Sequence, residues 1–230
     1  SPKANGNIAV IPPGVDLDVF HPYPQDQARH ELDMPPGDRI VLFVGRIEPL
    51  KGIETLLRAL QQMQESGAMS PRLCLSVIGG DPSKPRETRH AELEKMMILV
   101  DDLGLGDIVT FLGRRAQETL HYYYSAADVV VMPSHYESFG MVALEAMACG
   151  TPVIATDVGG LAQLVREGET GFLVPGRDPD ALGKRLQLLL GDAELRAQLG
   201  RQASDYAASY AWPGITRQIV ELYKSKISAA

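Results

Sequence analysis

Short runs of Val, Ile, Leu and Phe recur along the chain as "IAVI" (8–11), "IVLFV" (40–44), "LCLSVI" (73–78), "IVTFL" (108–112), "VVVM" (129–132), "PVIA" (152–155) and "GFLV" (171–174). None alternates strictly with polar residues and turn residues bound each one, so they predict strands buried on both faces, as in a parallel sheet. Segments with helical spacing lie between them: "GIETLLRALQQMQ" (52–64), "HAELEKMMILVDDLG" (90–104), "QETLHYYYSAAD" (117–128) and "FGMVALEAMA" (139–148). Strand and helix alternate, which predicts a doubly wound α/β sheet with right-handed crossovers. From about residue 178 the pattern is helical only, with Asp178 and Pro179 as a start signal, and these helices are expected to cover the sheet. The stretches "YPQDQ" (23–27) and "DMPPGD" (33–38) read as surface loops. No second sheet domain is marked. The chain therefore reads as one Rossmann-like domain over 1–230, with 1–7 a linker or scar and the whole a fragment of a longer protein.

In an open α/β sheet, ligands bind in the crevice beyond the carboxyl ends of the strands. That directs attention to "GRIEPLKG" (45–52), "GGDPSKPR" (79–86), "GRRAQE" (113–118), "PSHYESFG" (133–140) and "TDVGG" (156–160). Glycine near the start of most of these loops, or at a helix entrance, lets backbone and helix N-termini approach an anion, which points to a phosphate-bearing ligand. Arg46 and Lys51 flank the turn after the second apolar run, where a planar guanidinium and a point-charge ammonium can clamp a diphosphate; the alternative is two solvated surface charges. Neither a P-loop nor a G-x-G-x-x-G fingerprint occurs, which weakens NTPase and dehydrogenase readings.

Glu145 lies on an otherwise apolar helix, where an unpaired carboxylate costs several kcal/mol, so it needs donors. A ribose diol supplies two; Ser, Thr or backbone groups of the core are the alternative. Glu137, at the helix entrance, either complements the macrodipole or faces sugar hydroxyls and charge developing at an anomeric carbon. The N–H groups of Phe139, Gly140 and Met141 then point at the same sugar or phosphate. A glycosidase pair is disfavoured, because its carboxylates sit about 5–9.5 Å apart whereas eight helical residues span about 12 Å.

A net charge of −7 argues against a nucleic-acid or anionic-membrane partner and favours a small molecule. Cys74 and Cys149 sit in apolar stretches and read as buried thiols of a reducing compartment. No apolar run of about 18 residues and no leader pattern is visible, so the expectation is a cytoplasmic protein without a transmembrane segment. Zinc spacing is missing, and no metal is expected.

"VGRIEPLKG", "FLG", "ADVVVMPSHYESFGMVALEAMACGTPVIA" and "VGGLAQLV", in this order, resemble the C-terminal, donor-binding half of retaining family 4 glycosyltransferases, which have the GT-B fold. The resemblance runs over about 8–225, with Glu137 and Glu145 as its Glu-x7-Glu motif. It implies that Arg46 and Lys51 hold the donor diphosphate and offset charge on the leaving group, with Glu145 on the ribose and Glu137 at the transferred sugar. It further implies backbone contacts from Phe139, Gly140 and Met141, a nucleobase beside Arg114 or Arg115, and a cleft rim at Gly79 and Gly80, whose alternative role is a tight turn. His135 and Tyr136 read as packing, Asp128 and "HYYY" (121–124) as structural, and His21 and His90 have no partner motif. The wording around 79–86 and 133–150 is nearest to sucrose-phosphate synthase-like and inositol-phosphate glycosyltransferase members. This implies a UDP-sugar donor, UDP-glucose first, no required cofactor, and an acceptor site on an N-terminal domain missing here. The alternatives are a GDP-mannose user and a non-catalytic nucleotide-binding module. An epimerase or phosphorylase would need a carboxylate network or pyridoxal lysine motif, and neither is found.

Overall fold

Six of the seven apolar runs form strands: β1 (Arg39–Val44), β2 (Leu73–Ile78), β3 (Val109–Gly113), β4 (Val129–Met132), β5 (Val153–Thr156) and β6 (Gly171–Val174). In the computed structural model, which describes residues 9–83 and 90–227, they make one parallel sheet in the order β3-β2-β1-β4-β5-β6. The segment 1–7, read as a linker or scar, and positions 84–86 of the loop after β2 lie outside the described residues. The run at 8–11 is a correction: 9–11 have no regular structure, and Val10 is exposed. Pro12 and Pro13, which lack the N–H a ladder needs, follow at once. The chain instead bridges at Val15, whose N–H donates to the Tyr210 carbonyl.

The helices are α1 (Gln25–Glu31), α2 (Ile53–Glu65), α3 (Ala91–Asp102), α4 (Leu120–Ala126), α5 (Met141–Ala148), α6 (Leu161–Leu164), α7 (Pro179–Gly191), α8 (Ala193–Ala207) and α9 (Trp212–Ile227). Side chains of β1 alternate between the two faces of the sheet. Val41 and Phe43 join Leu56, Leu60 and Leu186 of α2 and α7, while Ile40 and Leu42 join Tyr124, Leu144 and Met147 of α4 and α5. Apolar burial on both faces explains why the strands read as continuous hydrophobic runs. Asp178 starts α7 as expected: its carboxylate accepts from the Ala181 N–H at 2.9 Å, with Pro179 in the first helical position.

Two expectations need correction. "YPQDQ" is not all loop, since α1 begins at Gln25 and its Arg29 reaches the core, donating to the Ala126 carbonyl. The terminal helices do not all cover the sheet. α7 and α8 bury leucines and alanines against it, but α9 buries only Ile215 and leaves Trp212, Val220, Tyr223 and Ile227 exposed. The strand order reverses between β1 and β4, which pair at Val41–Val129 and Leu42–Val130, and the loops leaving those two strands frame the crevice at this switch point.

Candidate functional site

A cavity of about 690 Å³ opens at the carboxyl ends of β1, β2 and β3. Arg46, Gly79, Gly80, Arg114 and Arg115 line it, together with Ile47, Asp81 and His90. The Arg46 side chain is 78% exposed and forms an ion pair with Glu48 at 2.8 Å, a solvent-screened pair that contributes little and leaves the guanidinium available to a ligand. Arg115 is held: its Nε donates to the Tyr123 hydroxyl at 2.6 Å, with the guanidinium 5.8 Å from that ring's centroid. Three guanidiniums around one hollow suit an anionic or planar aromatic ligand.

Lys51, Glu137, Phe139, Gly140, Met141 and Glu145 do not line that cavity. Lys51 and Glu137 instead meet each other across the switch point, Nζ to Oε2 at 2.5 Å, with side chains 23% and 15% exposed. The pair joins the loop after β1 to the loop after β4, which the sequence separates by 86 positions. The helix carrying Glu145 begins at Met141, two residues later than predicted, because Gly140 takes the left-handed conformation (φ +105°) and caps it. Among the described residues, the N–H groups of Phe139, Gly140 and Met141 have no acceptor, leaving three donors at one turn.

That turn is clamped from behind. The Gly160 N–H donates to the Glu137 carbonyl at 2.9 Å, and a Cβ at Gly160 would stand 2.4 Å from Phe139 Cα and 2.5 Å from the Ser138 carbonyl oxygen. The "VGG" turn is therefore read by close backbone contact rather than by chemistry. Gly160→Ala is expected to cost about 1–3 kcal/mol of stability by overpacking, measured by urea unfolding; a loss below a few tenths would mean that the loop yields freely. Phe139 packs its ring against Tyr210, centroids 6.0 Å apart, and Tyr210 shares a hydroxyl contact of 2.9 Å with Tyr206.

Glu145 is 8% exposed on α5, and the hydroxyl of fully buried Tyr124 donates to its Oε2 at 2.8 Å. Burial holds the Glu145 carboxyl above its usual range, and the Tyr124 hydrogen bond partly opposes that. Sequence reasoning treated "HYYY" as structural and missed this contact. No spacing signals it, since the two residues are 21 apart and meet only because α4 packs against α5. His90 was also missed: it lines the cavity, and its Nδ1 accepts from the Glu92 N–H at 3.4 Å as the cap of α3.

The expectation that Tyr136 packs is overturned, because it is 63% exposed. His135 is half-buried; its Nδ1 has no partner among the described residues, and burial followed by the Arg177 charge lowers its pKa. Cys74 and Cys149 are free, and burial pushes the Cys149 thiol up to about 12, which makes it unreactive. Among the described residues no cluster of three or more His, Cys, Asp or Glu is able to hold a metal, and no helix is long and apolar enough to cross a membrane.

Comparison with known proteins adds an independent line. The family described as "Glycosyl transferases group 1" matches residues 24–206. A D-inositol 3-phosphate glycosyltransferase of Acidothermus cellulolyticus is 40% identical over 222 residues, covering 96% of this chain and 48% of the relative. The solved sucrose-phosphate synthase of Thermosynechococcus elongatus is 42% identical with a TM-score of 0.86, covering 96% of this chain and 53% of that one. The structure of Anabaena HepE in complex with UDP-glucose is 29% identical with a TM-score of 0.79, covering 94% and 57% respectively. The chain thus spans about half the length of the curated relatives it matches.

Proposed function

Because the chain belongs to the glycosyl transferases group 1 family, we propose that it is the donor-binding domain of a retaining hexosyltransferase that uses a UDP-sugar, UDP-glucose first. The observation that carries this reading is the cavity at the ends of β1, β2 and β3, lined by three guanidiniums that suit an anionic ligand; the Lys51–Glu137 pair lies on the loops after β1 and β4, outside that lining. A UDP-glucose complex of a relative supports the choice of nucleotide and sugar. In this reading the nucleobase enters the cavity near Arg114 and Arg115, with Gly79 and Gly80 at its rim. The diphosphate lies between Arg46 and Lys51, and the ribose hydroxyls donate to Glu145. The sugar meets Glu137 and the free N–H groups of Phe139, Gly140 and Met141.

The Lys51–Glu137 pair gives the site a division of labour. A donor diphosphate competes for the Lys51 ammonium and releases the Glu137 carboxylate towards the sugar. Lys51 and Arg46 then offset charge on the departing diphosphate, which is electrostatic catalysis without a metal. The acceptor is supplied by a second, N-terminal domain, so turnover belongs to the two together. Free thiols at both cysteines support a reducing, cytoplasmic location.

Thermal unfolding with UDP, GDP and ADP tests the reading. UDP at about 100 times its Kd is expected to add about 2.7 kcal/mol, raising the Tm by about 5–10 °C. Lys51→Ala is expected to remove most of that shift and Arg46→Ala less, because Arg46 is the more exposed of the two. If none of the three nucleotides shifts the midpoint, the donor-site reading is lost. A shift with GDP alone moves the reading to the GDP-mannose alternative. UDP binding without transfer, in the presence of the acceptor domain, favours a non-catalytic nucleotide-binding module.

A further inference from the structure

We propose that Tyr124 is a positioning residue for Glu145: its hydroxyl turns one carboxylate oxygen into the core and leaves the other to receive a ribose diol. The inference rests on the reading of Glu145 as the ribose-binding carboxylate. Tyr124 is fully buried and held at both ends. Its ring lies 6.0 Å from Phe20 at 59°, and its carbonyl accepts from the Thr151 hydroxyl at 2.6 Å. From that fixed frame the hydroxyl reaches Glu145 Oε2 at 2.8 Å. Among the described residues the other oxygen, Oε1, has no partner, and it is not sealed from solvent as a buried orphan would be.

A buried carboxylate with one donor has lone pairs to spare, and its orientation is set by whichever donor is rigid. Burial and the neighbouring Glu145 charge push the Tyr124 hydroxyl well above its usual range, so it remains a donor at every working pH. The same hydrogen bond favours the ionised form of Glu145 against desolvation. Phenylalanine fills the same space and lacks only this donor.

Isothermal titration of the parent and Tyr124→Phe with UDP and with 2′,3′-dideoxy-UDP tests the inference. The parent is expected to prefer UDP. Tyr124→Phe is expected to lose about tenfold on UDP, the effect of a hydrogen bond to a charged group, and less than about twofold on the dideoxy nucleotide. Equal losses on both nucleotides, or unchanged UDP affinity, would overturn a positioning role. A parent that binds both nucleotides equally strikes at the ribose reading of Glu145 itself, and a parent that binds neither overturns both. Thr151→Val, which frees the Tyr124 carbonyl, is the second variant should Tyr124→Phe fail to fold. It is expected to show a ribose-dependent loss of about two- to fivefold, and a loss shared by both nucleotides would count against the proposal.

Discussion

Glu145→Gln is expected to weaken UDP binding about 100-fold while raising the unfolding midpoint of the free protein at pH 7. On the proposed reading of Glu145 as the ribose-binding carboxylate, the affinity loss follows from two charge-assisted hydrogen bonds to a ribose diol, each worth about 1.5–3 kcal/mol, which an amide cannot accept in the same way. The stability gain has a different cause. Burial raises the folded-state pKa of Glu145 above its ordinary 4.5, so the folded form holds its proton more tightly than the unfolded chain does. Ionising it in the folded state therefore carries a penalty that is absent below pH 4.5. The penalty grows as pH rises through the window up to the folded value, and it is fully present above that window. Glutamine removes it, so parent and variant should converge near pH 4.5 and separate towards neutrality. Calorimetric unfolding across pH 4.5–8 reads the stability, and titration with UDP reads the affinity. A Gln variant that is less stable by a pH-independent amount, or that binds UDP as the parent does, would show that the carboxylate is structural. A residue that costs stability and serves binding is the pattern expected of a site.

Asp128→Ala should produce the largest loss of stability, about 3–5 kcal/mol, enough to leave much of the protein unfolded at moderate temperature. The Asp128 side chain is 2% exposed and ties three elements together. It accepts from Arg29 Nη2 at 3.0 Å and from the Ile40 N–H at 2.8 Å, and it pairs with Arg196 Nε at 3.3 Å. Alanine leaves two guanidiniums and a backbone donor without their acceptor beneath β1 and α8, and an unpaired buried charge costs more than the pair contributes. Asp128→Asn, which keeps an acceptor for Ile40, should lose less. A loss below about 1 kcal/mol in urea unfolding would mean that water replaces the carboxylate. The effect should be confined to stability, because Asp128 precedes β4 at the end of the sheet opposite the crevice.

The alternation of apolar strands with amphipathic helices was enough to predict the parallel doubly wound sheet, because burial on both faces writes itself into continuous hydrophobic runs. It misled at 8–11, where four apolar residues resemble a strand but two prolines follow, and at Gln25, where a short helix lacks an apolar stripe long enough to detect. The strand-end loops carrying Arg46, Lys51, Gly79, Gly80, Arg114 and Glu137 were legible because the switch-point rule singles out the residues after each strand.

What the sequence determined by itself is the class of fold and the set of loops at the carboxyl edge of its sheet, since both follow from local period and residue type. Tertiary structure decided which of those residues touch. It set Lys51 against Glu137, Tyr124 beneath Glu145 and Arg115 on Tyr123, and it left Arg46 in a cavity apart from both carboxylates. Those pairings depend on how helices and loops distant in the chain pack on a common sheet, and hydrophobic period carries no record of which polar side chain will face which.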